Sequence, residues 1–175
     1  MVSTPASDGA ASGPIPTEAQ RAASDVRAAA FGRVMALLMA SPRHSAMTLS
    51  EASAYVTPAL ALGQIAMMGA QQADSGPMAL AAAAWWAFVS PEVDQRLSES
   101  REPHLKLASS EWKCGDQPWV IDTIGDPRLV NELVKRLAVS NFKGKPAKLR
   151  AFLPDGRIAV GRLEPKPAQT EQTNA

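Results

Sequence analysis

Two helix starts of the same construction govern what this chain can fold into. Ser90-Pro91-Glu92 and Asp126-Pro127 each set a short capping side chain before a proline. Proline suits the first helical position because the N–H it lacks has no partner there anyway. These starts fence off apolar runs, Met78 to Val89 before the first and Trp119 to Ile124 between the two. Runs of that length and composition predict strands, so the helices between them are connections within a sheet. The helix at Pro91 is expected to reach about Ser98. The one at Pro127 carries Leu129, Leu133, Val134 and Leu137 on one stripe and should end before Gly144.

The rest of the chain follows similar punctuation. Thr17 and Gln20, then Thr48 and Glu51, have capping-box spacing. Phe31, Val34, Met35, Leu38 and Met39 recur at helical spacing and predict a first helix ending near Ser41-Pro42, and Pro58 is expected to close the second. Gln64 to Gly69 reads as a strand, with Asp74-Ser75-Gly76-Pro77 as a turn into the next. Lys148 to Leu153 and Ile158 to Leu163, joined through Pro154-Asp155-Gly156-Arg157, read as a closing hairpin. Helices interleaved with five strands point to an α/β or α+β sandwich with a mixed sheet. Residues 1–16, rich in Pro, Gly, Ser and Ala, are expected to form a disordered arm, 17–164 one domain and 165–175 a loose tail.

Composition excludes several classes. Alanine accounts for 32 of the 175 residues, so the larger apolar side chains suffice for one modest core only. No apolar run approaches the roughly 18 residues of a membrane span, and the N-terminus lacks the layout of a secretory signal. A soluble, intracellular protein is therefore expected. One cysteine and two histidines are too few for a standard structural zinc site. Phosphate-binding glycine loops and the serine nucleophile elbow are missing from the sequence. Charge is asymmetric: residues 1–127 hold 8 basic and 13 acidic side chains, net −5, and residues 128–166 hold 10 and 3, net +7. Such a surface attracts polyanions, or is simply a solvated face.

Few residues stand out for chemistry. His44 lies in the loop after the first helix, where it can face a cleft, whereas His104 in the charged run from Glu99 to Lys106 reads as a solvated loop residue. Asp122 interrupts an otherwise apolar strand, and a buried carboxylate persists only with a partner. Asp116 reads as a turn residue and Cys114 as a free, partly buried thiol.

Three segments, Ala40-Ser41-Pro42-x-His44, Trp86-Ala87-x-x-Ser90-x-Glu92 and Trp112-x-x-Gly115-Asp116-x-x-Trp119-x-Ile121-Asp122, resemble, in order, signatures of the RTX toxin-activating lysine acyltransferases. Cys114 stands where that pattern has Ser or Thr. The resemblance runs from about Gly32 to Leu163 and implies a GNAT-like fold, a central mixed, mostly antiparallel sheet flanked by helices. It implies a cytoplasmic enzyme, with dimers known, that takes a fatty acyl group from acyl-acyl carrier protein and places it on internal lysines of an RTX protoxin before export. No bound cofactor or metal is implied, and nucleic acid is not a partner. His44 and Asp122 match the essential pair and Ser41 a nearby serine. His44 and Asp122 are expected within one hydrogen bond or one bridging water of each other, in a cleft bordered by Ser41 and the tryptophan strand, with Ser41, Trp86 and Trp119 at the substrate. Lysine must lose a proton to attack a thioester, which suits His44 as base with Asp122 orienting it. Lys135 and Arg136, in the basic segment, are expected to dock the acidic carrier. The alternative is a non-catalytic GNAT-like module whose basic surface holds an acidic partner.

Overall fold

The computed structural model describes residues 16–71, 78–153 and 157–164. Nearly all of the expected arm, the tail from 165, and the turns at 74–77 and 154–156 lie outside the described residues. Four helices, α1 (Glu18–Ala40), α2 (Leu49–Leu62), α3 (Pro91–Glu99) and α4 (Pro127–Ser140), accompany five strands, β1 (Ile65–Gln71), β2 (Met78–Val89), β3 (Gln117–Gly125), β4 (Ala147–Phe152) and β5 (Ile158–Leu163). The strands form one sheet in the order of the chain. All neighbours are antiparallel except β3 and β4, which are parallel and joined through α4. This is an α+β fold with a mixed sheet, consistent with the expected GNAT-like arrangement.

Both capping boxes close as the sequence predicts, Thr17 with Gln20 and Thr48 with Glu51. Ser90 and Asp126 cap the two proline-led helices. Pro58 does not end α2: the helix runs on to Leu62 and stops at Gly63 in the left-handed conformation. The reason is tertiary. Ala52, Tyr55, Val56 and Ala59 form one buried stripe that spans the proline, and burying it outweighs the cost of one lost helical hydrogen bond.

The sheet has a core on each face. Val34 and Leu38 of α1, the α2 stripe, and Val93 and Leu97 of α3 pack with Ala83, Trp85, Ala87, Trp119 and Ile121 on the first face. On the second, Leu133 and Leu137 of α4 and Phe142 pack with Ala82, Ala84, Trp86 and Val120. The alanine run is thus divided between the faces by simple alternation, and its small side chains let both helical layers approach β2 closely.

One irregularity positions the site. Trp85 pairs with Asp122 but Trp86 with Val120, so Ile121 is an extra residue in β3. That bulge resets the alternation. Trp119, Ile121 and Ile124 all join the first core, and Asp122 is aimed to the same side instead of following Val120 to the α4 side. At the end of β3, Gly125 has φ +107°, and a Cβ there would lie 2.0 Å from the Ala81 carbonyl oxygen, so only glycine permits this close approach.

Candidate active site

The sequence leaves Asp122 in need of a counterpart, and the fold supplies several. Its Oδ2 takes hydrogen bonds from Tyr55 Oη at 2.7 Å and from His44 Nε2 at 2.8 Å, while Oδ1 takes the Thr123 backbone N–H at 2.7 Å. The Arg43 guanidinium pairs with Oδ1 and also reaches the Thr123 carbonyl at 3.1 Å. The aspartate is only 7% exposed. Burial pushes its carboxyl upward, but the His44 hydrogen bond and the Arg43 charge outweigh that and hold it below the usual carboxylate range. The carboxylate therefore stays ionised at neutral pH. The phenol of Tyr55 is pushed well above its ordinary value by burial and by Asp122, so it remains a hydrogen-bond donor.

His44 sits in the turn that follows α1 and is 2% exposed, with its backbone fixed by hydrogen bonds between His44 N–H and Ser41 C=O and between Met47 N–H and His44 C=O, each 2.9 Å. As expected it lies just after the first helix, and there its side chain is buried. Its Nδ1 lies 2.8 Å from Ser41 Oγ. Because Asp122 accepts at Nε2, that nitrogen carries the proton, and Nδ1 is left as the basic lone pair facing the serine hydroxyl. The result is a chain Ser41–His44–Asp122 with the imidazole held in one tautomer. The alternative of a non-catalytic module holding an acidic partner on the basic surface would have been favoured by His44 and Asp122 lying far apart, and they are in contact.

His104 corrects the expectation of a solvated residue. Its ring stacks on His44 with centroids 4.9 Å apart and meets the edge of Tyr55 at 5.7 Å. Partial burial and the neighbouring His44 push its pKa down. Cys114 is exposed rather than partly buried, its Sγ receiving the Ser90 N–H at 3.2 Å. Asp116 pairs with Lys145 Nζ at 2.8 Å, a partner from the loop before β4. His44, His104 and Asp122 offer ligand-type atoms within 4.8 Å of one another. The Asp122 oxygens and both His44 nitrogens already have hydrogen-bond partners, His104 Nδ1 is buried without one, the two rings stack, and Arg43 opposes a second cation at the carboxylate. The chemistry of the set is proton handling.

Two cavities flank this network. One, about 270 Å³, is lined by Arg43, Tyr55, Ile121, Asp122, Leu149 and Arg150 among others. It opens where β3 and β4 part, their pairing being confined to Trp119 with Lys148 and Val120 with Leu149. Arg150 donates to the Glu102 carbonyl, and its buried Nε and Nη1 have no partner. The second, about 450 Å³, includes Arg43, Tyr55 and His104 in its wall. Trp86 and Trp119 line neither cavity. Trp86 is buried on the α4 face against Phe142, and Trp119 is fully buried with its Nε1 on Asp94 at 2.6 Å. Both pack the core where substrate contact was expected, because tryptophan content alone does not say which face a strand presents. Lys135 and Arg136 are exposed on α4, across the sheet from His44, with Arg136 paired to Glu132 at 3.0 Å.

The depressed pKa of His104 fixes the sign of one pH effect. A histidine held neutral in the folded state binds fewer protons than in the unfolded chain, so stability falls as pH drops below the unfolded value of about 6.5. His104→Phe, which keeps a ring against His44, is expected to flatten that slope in denaturant melts between neutral pH and the carboxylate range. An unchanged slope would place the proton uptake elsewhere.

Residues 24–160 match the sequence model of the RTX toxin acyltransferase family. No curated protein matches the chain. Among the described residues, no helix is long and apolar enough to cross a membrane.

Proposed function

Since the chain belongs to the RTX toxin acyltransferase family and so acts as an acyltransferase in RTX toxin activation, we propose that it moves a fatty acyl group from acyl-acyl carrier protein to internal lysine side chains of an RTX protoxin. In this reading the reaction takes place in the cytoplasm before export, and the enzyme is a homodimer with no bound cofactor.

The observation that supports this reading best is the Ser41–His44–Asp122 chain beside two cavities. A lysine amine attacks the thioester carbon, forming the C–N bond, and its proton passes to His44 Nδ1, directly or through the Ser41 hydroxyl. Asp122, kept ionised by Arg43 and its hydrogen bonds, stabilises the imidazolium. The C–S bond then breaks, and the imidazolium returns the proton to the departing thiolate of the carrier. Tyr55 and Arg43 are positioning residues here, since each holds the carboxylate rather than the reacting groups.

The test is mass spectrometry of an RTX protein incubated with the enzyme and acyl-loaded carrier. Acyl additions on lysines are the expected result, and an unmodified substrate would overturn the reading. Docking is proposed to use Lys135 and Arg136 on the outer face of α4. Reversing both charges is expected to slow transfer at low salt and to matter less at high salt, because exposed attractions are screened beyond about 8 Å near physiological ionic strength. Equal initial rates for the two proteins at low salt would remove α4 from the docking surface.

A further inference from the structure

We propose that the 450 Å³ cavity is the chamber that takes the hydrocarbon chain of the acyl donor, an inference that rests on the acyltransferase reading above. Its wall is built mainly from Ala46, Met47, Ala54, Leu105, Leu107 and Trp112, with Glu51 and Lys106 adding charge. The volume falls within the range of small-molecule sites, roughly 300–1,000 Å³.

Its position relative to the proton network identifies the occupant. Arg43, Tyr55 and Leu105 line both this chamber and the cavity at the parting of β3 and β4, so the two adjoin at these side chains. Tyr55 at that junction bonds the same carboxylate oxygen as His44. His104, also in the chamber wall, stacks directly on His44. A chain seated in the chamber therefore ends one ring away from the imidazole. The neighbouring cavity is polar by contrast, with the facing edges of β3 and β4 unpaired with each other beyond Val120 and Leu149 and with Arg150 Nε and Nη1 lacking hydrogen-bond partners at its wall. An arm bearing amides suits that cavity, and a hydrocarbon suits the chamber. A thioester spanning the two has its carbonyl at the junction. The incoming lysine is the other conceivable occupant of the chamber, but Arg43 and Lys106 repel an ammonium and only Glu51 attracts it.

Two variants test this. Ala54→Trp fills the chamber from an exposed position on α2, and Leu107→Gln puts an amide in its wall. Each is compared with the wild type by circular dichroism, by binding of a fluorescent long-chain fatty acid, and by transfer from carriers loaded with saturated chains of rising length. Both variants are expected to weaken probe binding by tenfold or more. They should also shift the preferred donor toward shorter chains, with KM rising about fourfold for each methylene excluded. Folded variants that bind the probe and rank the donors as the wild type does would overturn the chamber. A wild type that binds the probe yet acylates no lysine would sink the transferase reading and leave the chamber standing. A wild type that acylates but does not bind the probe, with both variants keeping its length preference, would do the reverse.

Discussion

His44→Gln is expected to lower the rate of acyl transfer by roughly 10²–10⁴-fold, the usual contribution of a positioned acid–base group. Glutamine keeps polar atoms near Asp122 and Ser41 but has no titratable nitrogen, so it isolates proton transfer from packing. Alanine is the poorer probe. His44 is 2% exposed and stacked on His104, and truncating it leaves a hole and removes one of the donors that satisfy Asp122, at a cost of about 1–3 kcal/mol for the lost hydrogen bond alone. Ser41→Ala separates relay from base: if the proton reaches Nδ1 directly, the loss is modest, and if it passes through the hydroxyl, the loss approaches that of His44→Gln. The readout is the initial rate of lysine modification by mass spectrometry, with thermal melts as the control for folding. A folded His44→Gln protein that transfers at the wild-type rate would show that the imidazole is not the base.

The parts of this fold written in local code are legible in the sequence. Capping boxes, proline-led helix starts and apolar runs act within a few residues of themselves, and they locate four helices and five strands nearly to their ends. Pro58 is misleading because a local penalty is set against a buried stripe that only the tertiary fold reveals. The pair at the site is legible through its motif and through the oddity of a carboxylate in an apolar strand. Its partners are not. Tyr55 lies 67 residues from Asp122, and no motif or spacing in the helix after Thr48 marks it out. His104 sits in a run of charge and reaches the site because the segment after α3 passes over His44. Arg43, next to His44, could have been flagged as a cation beside a buried acid once the pairing with Asp122 was in view. The bulge at Ile121 leaves no mark on the sequence at all, although without it the aspartate would face α4.

Asp122→Ala is expected to destabilise the protein by about 3–5 kcal/mol, because removing one member of a buried charged pair leaves the other uncompensated. The Arg43 charge, the His44 N–H, the Tyr55 hydroxyl and the Thr123 N–H would all lose their acceptor at once. Asp122→Asn is the sharper variant for function. It keeps the shape but is neutral and presents an NH₂ group where only acceptors are wanted, so one donor is left facing another. The imidazole is then free to take the other tautomer, and transfer is expected to fall on the order of 10³-fold or more, comparable to the loss in triads whose orienting aspartate is made an asparagine. Both variants also predict a change with pH. The native carboxylate titrates below its unfolded value of about 3.9. Its contribution to stability is therefore complete above that value and is lost as pH falls through the lower, folded one. Melts of Asp122→Asn should lack this acid-limb loss. Denaturant unfolding of wild type and both variants at neutral and acidic pH measures it. If Asp122→Ala unfolds at the same denaturant concentration as the wild type, the four-donor arrangement around the carboxylate cannot be what holds β3 to the turn after α1.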